Sequence, residues 1–502
     1  MPGAISENLA VLIVVALLST AYIMPLLTKI GRFRVAEFFA VFMLALALSG
    51  GVYLAREILH NGAFTYAVGG WPAPWGIELS LDAVSGLFLI TVGLVATPIL
   101  LYASVDLVQD VGSRSRAAWF LTLFLLLVAA LCGLGITGDL FNIYVMVEVA
   151  TIASCAIVAA QNDATSVEAT FKYLMLATIG SGFVLLAIGF LFVLTGNLNM
   201  NFIAQELAAS WQNYPTALWV SLSFFMVGFG VKSALFPLHV WLPDAHSSAI
   251  APSSAMLSSL AIKGYIIALL KVFYVAVGAE IITRLPITNI LAVLGMLAII
   301  AGALFALAQD ELKRRLAFST VSQVGYIFLG IGLGNIQGLT GSFMHILSHA
   351  ITKALLFLAA GSIIKRTGKT RISEMAGVGF EMPVTLGVFA VGSLSMIGIP
   401  LFSGFVSKWQ LLLGSLARGN YLSVIVLVGG SLLAAAYLLP VLRTAFFERP
   451  VQNPVVTEMA YVQLVAMLFL AVVILMVGVS PGVVLQLAKQ AAMTLLGLEV
   501  LP

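Results

Sequence analysis

The chain has 502 residues, of which 61% are hydrophobic and only 9% charged, and its mean hydropathy is +1.10. So little polar surface cannot cover a water-soluble fold of this length, which excludes an ordinary soluble enzyme or scaffold. The net charge of +3 is too small to suggest nucleic-acid binding; the solvent these residues fit is a lipid bilayer.

In chain order, apolar windows of about 20 residues, the length a spanning helix needs, recur about fourteen times. They cover residues 9–27, 35–54, 83–103, 117–136, 140–160, 173–194, 218–242, 256–277, 287–307, 316–333, 343–364, 383–413, 421–447 and 461–479. The expected fold is therefore an all-α polytopic membrane protein. The first window has no basic stretch before it and no small-residue cleavage site after it, so it reads as a membrane helix and not a removable signal. The tight joint Thr137-Gly138-Asp139 between spans four and five is the weakest division.

Lys and Arg are concentrated on one side of this layout. Lys29, Arg32, Arg34, Arg114, Arg116, Lys172, Lys313, Arg314, Arg315, Lys365, Arg366, Lys369, Arg371, Arg443 and Arg449 fall together, against Arg56, Arg284, Arg418 and Lys489 opposite. Cytoplasmic loops carry the excess of basic residues, which places both termini outside a cytoplasmic (inner) membrane. The run Asp310–Arg315 reads as a solvated cytoplasmic loop.

Five lysines remain inside spans: Lys232, Lys263, Lys271, Lys353 and Lys408. Glu148 is the sole acid deep in a span; Glu37 and Asp139 lie near span ends. A charge at mid-bilayer costs at least ~2.5–3.5 kcal/mol, so each must face the bundle interior, find a partner or touch internal water. Five lysines cannot all pair with one glutamate. A buried lysine whose proton affinity rises and falls with the distance of a carboxylate is the physical basis of a proton relay.

Glu148 sits in span five, one turn after Tyr144 on the same face; its bland alternative is a structural glutamate bonded between helices. Span seven carries Lys232 and then Phe236-Pro237-Leu238-His239. Pro237 removes a backbone donor, so the helix should break there, and broken membrane helices line polar cavities. Span twelve repeats the pattern with Gly398-Ile399-Pro400 followed by Lys408. Two interrupted spans five helices apart imply two five-helix units of opposite topology, 117–277 and 287–447, between an N-terminal segment 1–116 and a last helix and tail 448–502. The lysine precedes Pro237 but follows Pro400, so Lys232 and Lys408 are not equivalent positions.

Span eleven aligns His345, His349 and Lys353 at four-residue steps along one face. Histidine both gives and takes a proton near neutrality. Two histidines four apart also match a zinc pair, but no third ligand or HExxH glutamate accompanies them and Lys353 would repel a cation. Lys263 lies mid-span in span eight; Lys271, two turns on, is expected to snorkel to the outer interface. No bound metal or cofactor is expected. Cys132 and Cys155 are too few for an iron–sulfur cluster, and no haem, Walker or dinucleotide motif is present. Electrons of any associated redox reaction would run through another subunit.

The segments TGDLFNIYVMVEV, KSALFPLHVWLPDAHSSAIAPSSAMLS, SSLAIKGYIIALLK, QDELKRRLAFSTVSQVGY and HILSHAITKALLFLAAG resemble the antiporter-like subunits of respiratory complex I, membrane-bound hydrogenases and Mrp-type sodium/proton antiporters. The resemblance extends from about Asp139 to Lys408 and implies fourteen helices with two inverted five-helix repeats and breaks in helices seven and twelve. It implies Glu148 and Lys232 as an interacting charge pair, Lys263 and the histidine helix as a central connection, and Lys408 as the exit-side lysine. The chain stops after span fourteen, and it is most similar to the Mrp D-type subunit, its hydrogenase counterpart and the smallest complex I homologue.

The expected function is thus proton translocation as one membrane subunit among several. Protons are favoured over Na⁺ because lysines cannot coordinate a metal cation, with Na⁺ reserved for neighbouring subunits. The alternatives are an independent secondary transporter, which would want a mid-membrane substrate pocket, an intramembrane enzyme, and a structural arm without conductance.

Overall fold

The computed structural model describes residues 4–30, 33–448 and 457–498. Fourteen membrane helices follow in chain order: α1 (Ala4–Ile30), α2 (Phe33–Asn61), α3 (Ala83–Ala103), α4 (Arg114–Ile136), α5 (Leu140–Val158) and α6 (Ala164–Thr195). Next comes α7 in two pieces (Pro215–Lys232 and Trp241–Ser248), then α8 (Ala251–Arg284), α9 (Ile287–Leu307), α10 (Leu312–Leu333) and α11 (Ile336–Thr367). The set is completed by α12, also in two pieces (Pro383–Ile397 and Ser403–Ala417), α13 (Tyr421–Phe447) and α14 (Tyr461–Val479). Thirteen of the described helices are long and apolar enough to span a bilayer, and broken α12 makes the fourteenth.

The joint at Thr137-Gly138-Asp139 is a true division. A short antiparallel hairpin between α2 and α3 pairs Phe64–Ala67 with Glu78–Leu81, and its Glu78 carbonyl accepts the Gly138 amide at 2.9 Å. Asp139 then caps α5, its carboxylate accepting from the Asn142 amide at 2.8 Å, so the chain reverses with its freed backbone groups satisfied.

The helix pattern of α4–α8 returns in α9–α13. In each set a 32-residue helix, α6 or α11, is the membrane helix before the broken one, with a short helix between them (Met200–Ser210 in the first set, Val378–Glu381 in the second). An odd number of spans per unit inverts the second unit relative to the first. After α14 a further helix, α15 (Gly482–Leu495), buries Leu487, Ala488, Ala491, Ala492 and Leu495 and packs on α3 and α11. α11 lies at the centre; its mid-section is buried on every side, whereas α1, α2, α13 and α14 expose broad apolar faces such as Phe38, Ile425 and Val472. A helix apolar on its outer face fits lipid, and one buried all round can carry polar groups out of contact with it.

Two expectations fail. The run Asp310–Arg315 is not a solvated loop: α10 begins at Leu312, and Arg315 is buried with its guanidinium donating to the Gln309 carbonyl at 2.8 Å and the Tyr437 carbonyl at 3.0 Å. Lys313 similarly donates to the Ala249 carbonyl at 2.6 Å, at the end of α7. Nor does Lys271 snorkel outward. Its ammonium turns inward and donates to the carbonyls of Gly135 (2.7 Å) and Thr137 (2.8 Å), which have no partner within α4 at its end, the Gly135 carbonyl accepting from the Ser85 hydroxyl as well. A cation at a helix C-terminus meets the negative end of the dipole, which outweighs reaching the interface.

Candidate functional site

Both breaks begin before their prolines. In α7 the helix ends at Lys232, Ala234 adopts a left-handed conformation (φ 55°), and Pro237 lies inside the irregular stretch. The freed Val231 carbonyl is taken by the Trp241 indole at 2.8 Å, tying the second piece to the first. In α12 the break spans Gly398 (φ 91°) to Phe402, with Leu401 also left-handed (φ 76°). Non-glycine residues in that region carry strain that the surrounding fold must hold.

Glu148 lies nine residues into α5, roughly 13 Å along its axis. The Lys232 ammonium is 4.0 Å from its Oε1, too far for a hydrogen bond, and Oε1 is buried with no hydrogen-bond partner among the described residues. Lys232 instead donates to the Thr151 hydroxyl at 2.8 Å. That hydroxyl lies 3.3 Å from the Tyr265 phenol, whose ring centroid is 5.5 Å from the ammonium. The two charges differ in exposure: the lysine side chain is 1% exposed and the glutamate 31%. Glu148 thus lies at the edge of the bundle, with Lys232 as its neighbouring charge.

Lys263 on α8 is fully buried and donates to the Ser258 carbonyl. α8 widens into π-type turns at Leu257–Ala261 and Lys271–Gly278, on either side of this lysine; such turns free carbonyls from the regular ladder. Through the Leu257–Ala261 turn α8 packs on α11, the helix that carries His345, His349 and Lys353. Lys353 donates to the Leu316 carbonyl at 2.7 Å and to the Ser319 hydroxyl, both on α10.

The rings of His345 and His349 stack, with centroids 5.8 Å apart and planes 6° from parallel. His345 Nδ1 meets the Ser407 hydroxyl at 2.9 Å. Its Nε2 and both nitrogens of His349 are buried without a partner among the described residues. Lys408, from the second piece of α12, donates to the carbonyls of Met396 (2.8 Å) and Ile397 (3.1 Å) at the end of the first piece. It also donates to Ser431 at 3.1 Å and sits 4.5 Å above the Tyr326 ring.

Taken in chain order, Glu148 and Lys232, then Lys263 and the histidine helix, then Lys408 make up the candidate row. A family profile described as NADH:quinone oxidoreductase/Mrp antiporter, transmembrane, matches residues 137–434, which contain every member of the row. The chain belongs to this family.

Among its relatives, the N-type subunit of NADH-quinone oxidoreductase from Desulforudis audaxviator (strain MP104C) is 39% identical over 446 residues, 88% of this chain and 87% of that one. The D-type subunit of the Na(+)/H(+) antiporter from Alkalihalophilus pseudofirmus is 30% identical over 414 residues, 82% of each. Among solved structures, a chain of the membrane-bound sulfane sulfur reductase, an archaeal respiratory membrane complex, superposes with a TM-score of 0.87 at 28% identity over 97% of both chains.

The structure of this antiporter-family subunit adds residues that sequence reasoning did not single out. His246, in the second piece of α7, is fully buried, with both ring nitrogens unpartnered among the described residues. It stacks on Phe357 at 4.7 Å, and the Lys353 ammonium lies 5.6 Å from the same ring. Thr151, Tyr265, Tyr326 and Ser407 also touch the row. His246 stands in the segment PDAHSSA; a break before it, freeing a short second helix to enter the core, was the available signal. The hydroxyl residues gave none, because serine and threonine are ordinary in membrane helices and only packing selects among them.

Proposed function

We propose that this chain relays protons across a cytoplasmic membrane as an antiporter-like subunit of a multi-subunit complex, with Glu148, Lys232, Lys263, His345, His349, Lys353 and Lys408 as the titrating groups. The observation that carries this reading is the open pair of Glu148 and Lys232, 4.0 Å apart with no direct hydrogen bond. A carboxylate that closes on the lysine favours its protonated form, and one that withdraws leaves desolvation to favour release. The break beginning at Ser233 supplies the movable element and Thr151 a neutral acceptor that holds the ammonium meanwhile. A released proton has Lys263 and then the bare histidine nitrogens ahead of it, and Lys408 at the far end.

Other membrane subunits are partners of this chain. A carboxylate that is 31% exposed at the bundle's edge in mid-bilayer is costly against lipid, so a neighbouring subunit is its expected cover. The relatives named for sodium/proton antiport and quinone oxidoreduction stand for two of the host types this reading allows; a membrane-bound hydrogenase is the third.

Glu148→Gln, compared at equal membrane abundance, is expected to abolish most transport while the protein still assembles, and Glu148→Asp to retain part of it. Transport should persist in sodium-free buffer. Wild-type transport by assembled Glu148→Gln protein would overturn the relay and favour a structural arm. The orientation, with both termini outside, has its own test. Single cysteines in residues 196–215 should react with impermeant reagent from outside, and those in 365–371 only from inside; both native cysteines are buried. The reverse pattern would invert the topology.

A further inference from the structure

Ser407 and His345 share one hydrogen bond, and the protons around it can be counted. The Ser407 hydroxyl has a single proton and two neighbours, the Gly404 carbonyl and His345 Nδ1, each at 2.9 Å. The carbonyl can only accept. If Ser407 donates to Gly404, His345 must carry its proton on Nδ1 and donate to the serine oxygen; both contacts are then hydrogen bonds. If Ser407 donates to His345, the Gly404 contact is lost and the imidazole proton moves to Nε2. That atom is buried with no partner among the described residues, so an N–H donor would be left unsatisfied. A buried bare donor costs more than a buried bare lone pair, and the first arrangement makes one more bond.

We infer that Ser407 is a positioning residue that holds neutral His345 in its Nδ1–H tautomer, so that Nε2 is the atom that takes the relayed proton. The inference rests on the relay reading above and specifies which atom of His345 serves it. Packing supports the assignment. The ring is clamped between His349, stacked 6° from parallel, and Tyr326, 5.4 Å away, so it cannot turn over freely to exchange its nitrogens. Ser407 lies one turn into the second piece of α12, directly before Lys408. Gly404, three residues earlier, packs so closely on the Ser395 backbone of the first piece that the start of the second piece is fixed, which holds the serine in place beside His345.

The test uses the full chain with ¹⁵N-labelled histidine in liposomes, where only five histidines contribute signals and His345 is assigned by its loss in His345→Gln. The wild type should show a protonated Nδ1 and a bare Nε2 at His345. Ser407→Ala should convert that signal to a mixture of tautomers and lower transport by the assembled complex about fivefold, the effect of one net hydrogen bond. Ser407→Thr should keep both the tautomer and the transport. A wild-type proton on Nε2, or an unchanged tautomer in Ser407→Ala, would overturn the inference, and the wild-type measurement requires no variant to fold. A shifted tautomer with full transport would support the role of Ser407 while removing His345 from the relay, which counts against the proposed function instead.

Discussion

Lys232 ends the first piece of α7 with a carboxylate 4.0 Å away and a hydroxyl as its hydrogen-bond partner. Lys408 sits in the second piece of α12 with no acid in an ion pair among the described residues, and gives its protons to two helix-end carbonyls and a serine. Both are buried lysines beside a broken helix, yet the first is governed by a side chain that can swing and the second by backbone that cannot. A carboxylate on a flexible stem changes the field at Lys232 with small motions, while the negative end of a half-helix is a fixed feature of the fold. On the proposed relay this difference assigns switching to Lys232 and receiving to Lys408.

The breaks themselves should separate most strongly. A Cβ at Gly404 would overlap the Ser395 carbonyl oxygen, backbone against backbone, so the two pieces of α12 are locked. A Cβ at Gly230 beside the α7 break would meet the end of the Leu238 side chain at 3.1 Å, which can yield. Gly404→Ala should therefore destabilise by about 3 kcal/mol or more and deplete assembled protein, and Gly230→Ala by less than about 1 kcal/mol. Thermal unfolding in detergent measures both, and equal effects would erase the contrast between a rigid and a yielding break.

The next effect is electrostatic. A double-mutant cycle of Glu148→Gln and Lys232→Met should give a coupling of about 1 kcal/mol, kept small because the pair stands 4.0 Å apart without a direct hydrogen bond. The same cycle between Glu148 and Lys408→Met should give none beyond ~0.5 kcal/mol. A sizeable coupling in the second cycle would mean that the acid governs both lysines.

The smallest effect is expected at Lys408→Gln. An amide can still donate to the Met396 and Ile397 carbonyls, so stability should change by no more than about 1 kcal/mol although the titrating group is gone and transport falls. A large loss of stability would show that the charge itself, and not merely a donor, holds the α12 break.

Much of this molecule is legible in its sequence. The spans follow from the length of apolar windows, and the intramembrane lysines stand out by subtraction because the bilayer penalises charge whatever the fold. The prolines flag the breaks, although Lys232 and Gly398, not Pro237 and Pro400, mark where the helices stop. Lys271 and Arg315 depart from expectation for one reason: a long basic side chain can reach interface or interior, and which it takes depends on whether the packed fold brings accepting backbone carbonyls within its reach.

By itself, then, the sequence determined that this is a polytopic membrane protein, which residues are too costly to bury without purpose, and the resemblance that family membership bears out. Only the tertiary structure decided that Glu148 sits at the bundle's edge, that His246 joins the row, and that Ser407 meets His345. Hydropathy and helical spacing are properties of one segment, and a sequence displays them directly. Partners across helices are set by how segments far apart in the chain pack, and hydroxyls from α5, α10, α12 and α13 acquire their roles only there.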